Sequence, residues 1–246
     1  MIIADIHTHI LPWLDDGPSD MKTAMDMLEA AYWNGTRHIV ATSHFGGQGY
    51  WVAKEAIETG VASLSEELHA RGLNIKLYAG HEVMLTPDVT NQLLAGNVNT
   101  INNAGFLLLE LPFGVHIPNL HEVINDIAEA TRLRIILAHP ERYDYLAAHP
   151  ETIAALTDLG VLIQINGDSL SGKNGRTAKH FAIKMLNKKQ VHFVASDTHD
   201  PVHRPPSLKE AYTYVSQHYS SQTAKNLFYE NAIRVINGRA PLINEK

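Results

Sequence analysis

The chain has 246 residues, no cysteine and 15 histidines. The missing thiols exclude disulfides, thiolate zinc sites, iron–sulfur clusters and cysteine nucleophiles, so any metal must be held by nitrogen and oxygen donors. Twenty basic against 26 acidic residues give a net charge of −6 without a basic cluster, which argues against duplex nucleic acid, while 45% hydrophobic content suits a chain able to bury a full core.

Seven short apolar runs of strand length follow one another: Ile2–Ile10, His38–His44, Ile75–Val83, Gly105–Leu111, Arg134–His139, Val161–Asn166 and Val191–Asp197. They are rich in Ile, Leu and Val without sustained alternation, the pattern of strands buried on both faces of a parallel sheet. Amphipathic segments separate them. Asp20–Asn34 has Ser19 as the expected N-cap and ends near Gly35; Ala53–Arg71 is followed by Gly72; Ser207–Gln217 and Thr223–Val235 read as closing helices. No linker or low-complexity stretch interrupts the alternation, so one α/β domain over residues 1–246 is expected. Its size suits an incomplete or distorted barrel, or a large open sheet. No apolar run approaches the ~20 residues that span a bilayer, and the N-terminus lacks a signal core, which points to a cytoplasmic protein.

The chemistry lies at the C-terminal ends of these runs. They terminate in Asp5-Ile6-His7-Thr8-His9, Ser43-His44, Gly80-His81-Glu82, Glu110, His139-Pro140-Glu141-Arg142 and Ser196-Asp197-Thr198-His199, with the sixth run as the exception. In a parallel barrel such ends converge on one mouth. His7 and His9 are two apart, so on a strand they point to the same side and can grip one ion; Asp5 shares their parity and would orient a ligand. A lone histidine at a strand end is more often a hydrogen-bonded structural residue than a ligand. His38, His69, His116, His121, His149, His180, His192, His203 and His218 keep that reading. Glu82 and Glu110 each follow apolar residues, where an unpaired carboxylate is costly unless a cation or a partner neutralises it. The competing partners are Arg142 for Glu110 and His81 for Glu82.

Asp5-x-His7-x-His9, Asp16-Gly17, Ser43-His44, Glu82, Glu110, His139-Pro140-Glu141-Arg142 and Ser196-Asp197-x-His199 together resemble the motifs of the polymerase and histidinol phosphatase (PHP) superfamily. Within it the chain is most similar to the bacterial manganese-dependent protein-tyrosine phosphatases of capsule and exopolysaccharide loci. The resemblance covers almost the whole chain. It implies a distorted (β/α)7 TIM-like barrel holding three divalent metal ions, with Mn the expected metal and Fe, Co or Zn compatible with mixed imidazole and carboxylate donors. Carried over position by position, the implied ligands are His7, His9, Asp16, His44, Glu82, Glu110, His139, Asp197 and His199, and the implied phosphate-handling residues are Arg142 and Arg204. The strand-end reading does not itself separate Asp16 from Asp15.

By the same resemblance the activity is phosphotyrosine hydrolysis by metal-activated water, and the partner is the Tyr-rich tail of an autophosphorylating bacterial tyrosine kinase. The alternatives are a PHP phosphoesterase acting on a small metabolite such as histidinol phosphate or a nucleotide, and a non-catalytic metal-binding, kinase-docking module. An amidohydrolase can also open with His-x-His, but its usual strand-end lysine is absent. The segment Phe45-Gly46-Gly47-Gln48-Gly49-Tyr50 departs from several relatives in lacking a polar or basic residue directly after His44, which affects expected substrate contacts there.

Overall fold

Every one of the seven apolar runs becomes strand in the computed structural model, which describes residues 1–206 and 208–242. The strands are β1 (Ile3–Thr8), β2 (Thr36–Ala41), β3 (His44–Phe45), β4 (Lys76–Ala79), β5 (Glu82–Met84), β6 (Phe106–Glu110), β7 (Arg134–Ala138), β8 (Leu162–Asn166) and β9 (Phe193–Ala195). Seven runs yield nine strands because the second breaks at Thr42-Ser43 and the third at Gly80-His81. A Cβ on Gly80 would lie 2.8 Å from Val40 Cγ1, so glycine permits the close approach at that break.

All strand pairs are parallel, in two sheets of order β1-β2-β4 and β3-β5-β6-β7-β8-β9. The two broken runs each contribute a strand to both sheets. At the opposite margin the first and last strands meet: Thr8 bridges Thr198 in parallel, His9 N donates to Thr198 O at 2.8 Å, and Asp197 N donates to His7 O at 2.9 Å.

Strand period two sorts the core into layers. Leu107 and Leu109 of β6, Ile135 and Leu137 of β7, and Ile163 and Ile165 of β8 join one cluster with helical residues such as Ile124, Leu156 and Phe181. The alternate residues Phe106, Leu108, Ile136, Ala138, Leu162, Phe193 and Ala195 form a second cluster with Ala4, Ile6 and Val40. Continuing that second parity toward the C-terminal ends leads from Leu108 to Glu110, from Leu162 to Gln164 and Asn166, and from Ala195 to Asp197. The apolar floor thus turns polar at one end.

Helix boundaries differ from expectation in identifiable ways. The first helix spans Met21–Trp33 and is capped by Asp20 rather than Ser19: Asp20 Oδ1 accepts from Thr23 N at 2.7 Å. The second spans Lys54–Ala70. The expected Ser207–Gln217 helix is observed as Lys209–His218, with residue 207 outside the described residues. Thr223–Val235 is not one helix. It runs as Ser221–Lys225, a π turn at Asn226–Glu230 and Asn231–Ile236, which places Leu227 and Phe228 in the core. Helices not singled out by pattern occur at Leu120–Thr131, Glu151–Asp158 and Arg176–Asn187. No helix among the described residues is long and apolar enough to cross a membrane.

Candidate metal centre

The polar end of the strands gathers the nine implied ligands into one cluster around Glu82. Its Oε2 lies 3.1 Å from His7 Nε2, 3.1 Å from His9 Nε2 and 3.2 Å from His44 Nδ1, while Oε1 lies 2.9 Å from His139 Nε2. The alternation argument for His7 and His9 is met in space, since their Nε2 atoms are 3.4 Å apart. Asp16 comes from the loop after β1 and stands 3.4 Å from His44 Nε2 and 3.3 Å from His199 Nε2. Glu110 Oε1 is 3.7 Å from His139 Nε2 and its Oε2 is 3.9 Å from His44 Nδ1. Asp197 Oδ1 is 3.4 Å from His7 Nε2.

Three overlapping groups have donor atoms all within 4.8 Å of one another: His9, Asp16, His44 and His199; His7, His9, Glu82 and Asp197; and His44, Glu82 and Glu110. His139 falls outside these three groups and reaches the cluster through Glu82 and Glu110. Two residues of the cluster, His139 and Asp197, have φ of 32° and 55°, a left-handed backbone at the ends of their strands.

The competing partners are not taken. Arg142 Nη1 binds Asp197 Oδ2 at 3.0 Å instead of Glu110. His81 turns away from Glu82, with Nε2 donating to Val52 O at 2.9 Å and Nδ1 accepting from Asn99 N at 2.9 Å. Arg204 Nη2 lies 2.7 Å from Asp197 Oδ1, so the two guanidiniums hold opposite oxygens of one carboxylate.

A bound cation would neutralise the buried carboxylates of this cluster. Burial, then the charges of Glu82 and Asp197, push the Glu110 carboxyl up to about 9. Burial opposes ionisation of Glu82 too, but His7 and hydrogen bonds from His139, His7 and His9 hold it well below the usual carboxylate range. Burial lowers His139 to about 4, which keeps its ring neutral and its lone pair available. Moreover His44 Nδ1, Glu110 Oε2 and His199 Nε2 are buried without a hydrogen-bonded partner, although carboxylate oxygens approach both rings. Imidazoles and carboxylates crowded this closely, some of their buried atoms without a hydrogen-bonded partner, form clusters able to hold hard or borderline divalent ions.

Several residues that support the cluster escape a search for strand-end histidines and carboxylates. Asp15 Oδ2 bonds His9 Nδ1 at 2.8 Å and accepts from His44 N at 3.1 Å, while its Oδ1 accepts from Gly17 N at 3.1 Å. Gln164 Oε1 accepts from His7 Nδ1 at 3.0 Å, and Asn166 Nδ2 donates to Asp197 Oδ2 at 2.7 Å. The sixth run therefore supplies amides where the others supply imidazoles and carboxylates, and the signal was two polar residues of one parity in an apolar strand. Asp5 does not touch a ligand ring. It accepts from Ser196 N at 3.1 Å and His7 N at 3.4 Å, tying together the backbones of β1 and the segment after β9. In the departing segment after His44, Tyr50 stacks on His44 with centroids 6.0 Å apart, and Gly47 backs directly onto His44 and Glu110.

Relatives match the chain over most of its length. The tyrosine-protein phosphatase CpsB of Streptococcus agalactiae is 29% identical over 237 residues, covering 94% of this chain and 97% of its own. The tyrosine-protein phosphatase YwqE of Bacillus subtilis is 29% identical over 218 residues, covering 89% and 85%. A solved structure from work on YwqE of Bacillus subtilis and CpsB of Streptococcus pneumoniae, described as metal-dependent tyrosine phosphatases, superposes with a TM-score of 0.90 at 27% identity over 100% of both chains. A family model described as capsular polysaccharide synthesis, CpsB/CapC, matches residues 3–237, and the chain belongs to that family.

Proposed function

We propose that this chain is a metal-dependent protein-tyrosine phosphatase. The observation that carries the reading is the cluster of five imidazoles and four carboxylates, all but Asp16 buried, set against two arginines on Asp197. The ligands are proposed to be His7, His9, Asp16, His44, Glu82, Glu110, His139, Asp197 and His199, holding three divalent ions, most simply Mn. The tyrosine-phosphatase activity for which the relatives are named supports the same reading.

Divalent ions bound there would lower the pKa of water toward ~7 and neutralise charge building on the ester oxygens. The chain's own contribution is positioning. Asp15 and Gln164 fix the His9 and His7 rings, and Asn166 fixes Asp197. Arg142 and Arg204 are partly exposed and present guanidinium forks suited to the oxygens of a phosphate dianion. A tyrosyl leaving group has a conjugate-acid pKa near ~10, so it needs less protonation than an alkoxide would.

We further propose that the two sheets, joined by their shared runs and by the Thr8–Thr198 seam, make a distorted (β/α)7 barrel as a single domain. The physiological substrate is proposed to be the phosphotyrosine-bearing tail of a bacterial tyrosine kinase that regulates capsule or exopolysaccharide synthesis, met in the cytoplasm. The test is phosphate release by chelator-stripped protein reloaded with Mn, Fe, Co or Zn, assayed on phosphotyrosine peptides beside histidinol phosphate and nucleotides. Metal-stimulated turnover of the peptides is expected. Turnover of a metabolite with none of the peptides would overturn the reading.

A further inference from the structure

Phe113 lies three residues beyond Glu110, at the polar end of β6, and remains 44% exposed. Its ring is nevertheless held in place. It stacks on Tyr143 with centroids 4.8 Å apart and planes 19° apart, and Tyr143 is fixed in turn because its hydroxyl donates to Leu111 O at 2.8 Å and accepts from Leu111 N at 3.2 Å. Phe113 also lies stacked against the ring of His139, 5.9 Å away at 15°. Arg142 Cζ sits 4.9 Å from the Phe113 centroid. The same side chain lines a cavity of about 350 Å³ together with Arg142, Asn174 and Arg176.

An exposed aromatic ring normally gains by turning inward, because fully burying a Phe side chain contributes about 1.5–3 kcal/mol. Here the backbone and Tyr143 hold a rigid ring beside a phosphate-binding arginine and a ligand histidine. In an aryl phosphate the ring is joined to phosphorus through a single oxygen. A phosphate seated on Arg142 therefore brings its aryl ring within reach of Phe113, and offset or edge contacts between aromatic rings are favourable. An alkyl ester or free phosphate has no ring to offer.

We propose that Phe113 is a specificity-determining residue, the wall that contacts the aryl ring of the ester and favours tyrosyl over ringless phosphates. This inference rests on the phosphotyrosine reading of the site.

The experiment compares Phe113→Ala, Phe113→Leu and Phe113→Trp with the unaltered protein, all metal-loaded. It measures KM and kcat for a phosphotyrosine peptide, the inhibition constant of inorganic phosphate, and metal content by elemental analysis. Phe113→Ala is expected to raise KM for the peptide about 3- to 10-fold, the range of one aromatic pair, with kcat within about twofold. The inhibition constant of phosphate and the metal content should not move, Phe113→Leu should recover little, and Phe113→Trp should recover most of the loss. An unchanged KM would overturn the inference, as would a parallel weakening of phosphate inhibition, which would reduce Phe113 to a support for Arg142. If the unaltered protein cleaves the peptide while Phe113→Ala binds it equally well, this inference alone fails; if the unaltered protein cleaves no phosphotyrosine, the activity and this inference fall together.

Discussion

Asp15 Oδ2 sits 2.8 Å from His9 Nδ1 and 3.1 Å from His44 N, so one carboxylate fixes the ring of one proposed ligand and the backbone of the next. Burial opposes its ionisation, but His9 and the Gly17 amide outweigh that and lower it to about 2. The carboxylate demands a proton on His9 Nδ1, so Nε2 is the ring atom left to face the cluster and the one a metal would bind. Asp15→Asn keeps the shape and loses that demand. Metal affinity is expected to fall about 10- to 100-fold in a calorimetric Mn titration, with little change in secondary structure. Undiminished affinity would show that Asp15 does not orient the ring.

Arg142 and Arg204 divide the two oxygens of Asp197 between them. Removing one preorganised donor from a developing anion typically costs about 10²–10³ in kcat. Arg142→Ala is expected to lower steady-state kcat on a phosphotyrosine peptide by that order while elemental analysis finds the metal retained. Arg142→Lys should recover only part, because an ammonium cannot replace a planar fork. Full recovery by lysine would mean that charge alone matters there.

Asp5 carries the clearest pH signature away from the ligand rings. Burial is the dominant cause and raises its pKa from 3.8 to about 6, against lowering hydrogen bonds from Ser196 and His7. A carboxyl whose folded pKa is raised stabilises the fold fully below the unfolded pKa and loses that contribution as pH rises through about 6. The displacement corresponds to about 3 kcal/mol. Asp5→Asn removes the titration. Its Tm relative to the unaltered protein, followed in metal-free buffer, should increase between about pH 4 and pH 6 and level off above; a pH-independent difference would contradict the assignment.

Gly17 follows Asp16, and its close approach to the β1 exit leaves no room for a side chain. A Cβ there would lie 2.7 Å from His9 O and 3.0 Å from Asp15 Oδ1. Because one neighbour is backbone, the loop must move, at a cost of about 1–3 kcal/mol. Gly17→Ala should lower Tm by about 2–10 °C and weaken metal binding together, since Asp15 and Asp16 ride on the displaced loop. A drop in Tm with intact metal affinity would separate the loop's packing from its ligand role.

The strands were legible because double burial leaves unbroken Ile, Leu and Val runs, and the ends that meet in the polar cluster were legible because carboxylates and imidazoles interrupt those runs. The breaks at Thr42-Ser43 and Gly80-His81 were not, since hydrogen-bond partners across sheets leave no mark on local composition. Asp20 displaced Ser19 as a cap because two adjacent capping residues are equivalent until the chain direction is known. Asp15 could not be separated from Asp16 by pattern alone, for both are acids in a loop and only the ring they face distinguishes them. Gln164 and Asn166 were passed over because neutral amides look like ordinary strand polars until the groups opposite them are placed. The π turn at Asn226–Glu230 has the same helical periodicity as its flanks and gave no boundary.

The seam at Thr8 and Thr198 has a consequence for how the molecule comes to be. His7, His9, His44 and His139 all precede the final strand, yet the cluster they enter includes Asp197 and His199 from beyond it. Contacts spanning nearly the whole chain are slow to form, because the entropy of closing so long a loop is lost before the contacts repay it. During synthesis most of the ligands therefore emerge before the pocket that joins them can exist. Any metal held by the whole cluster could be bound in full only once the segment carrying Asp197 and His199 has been made.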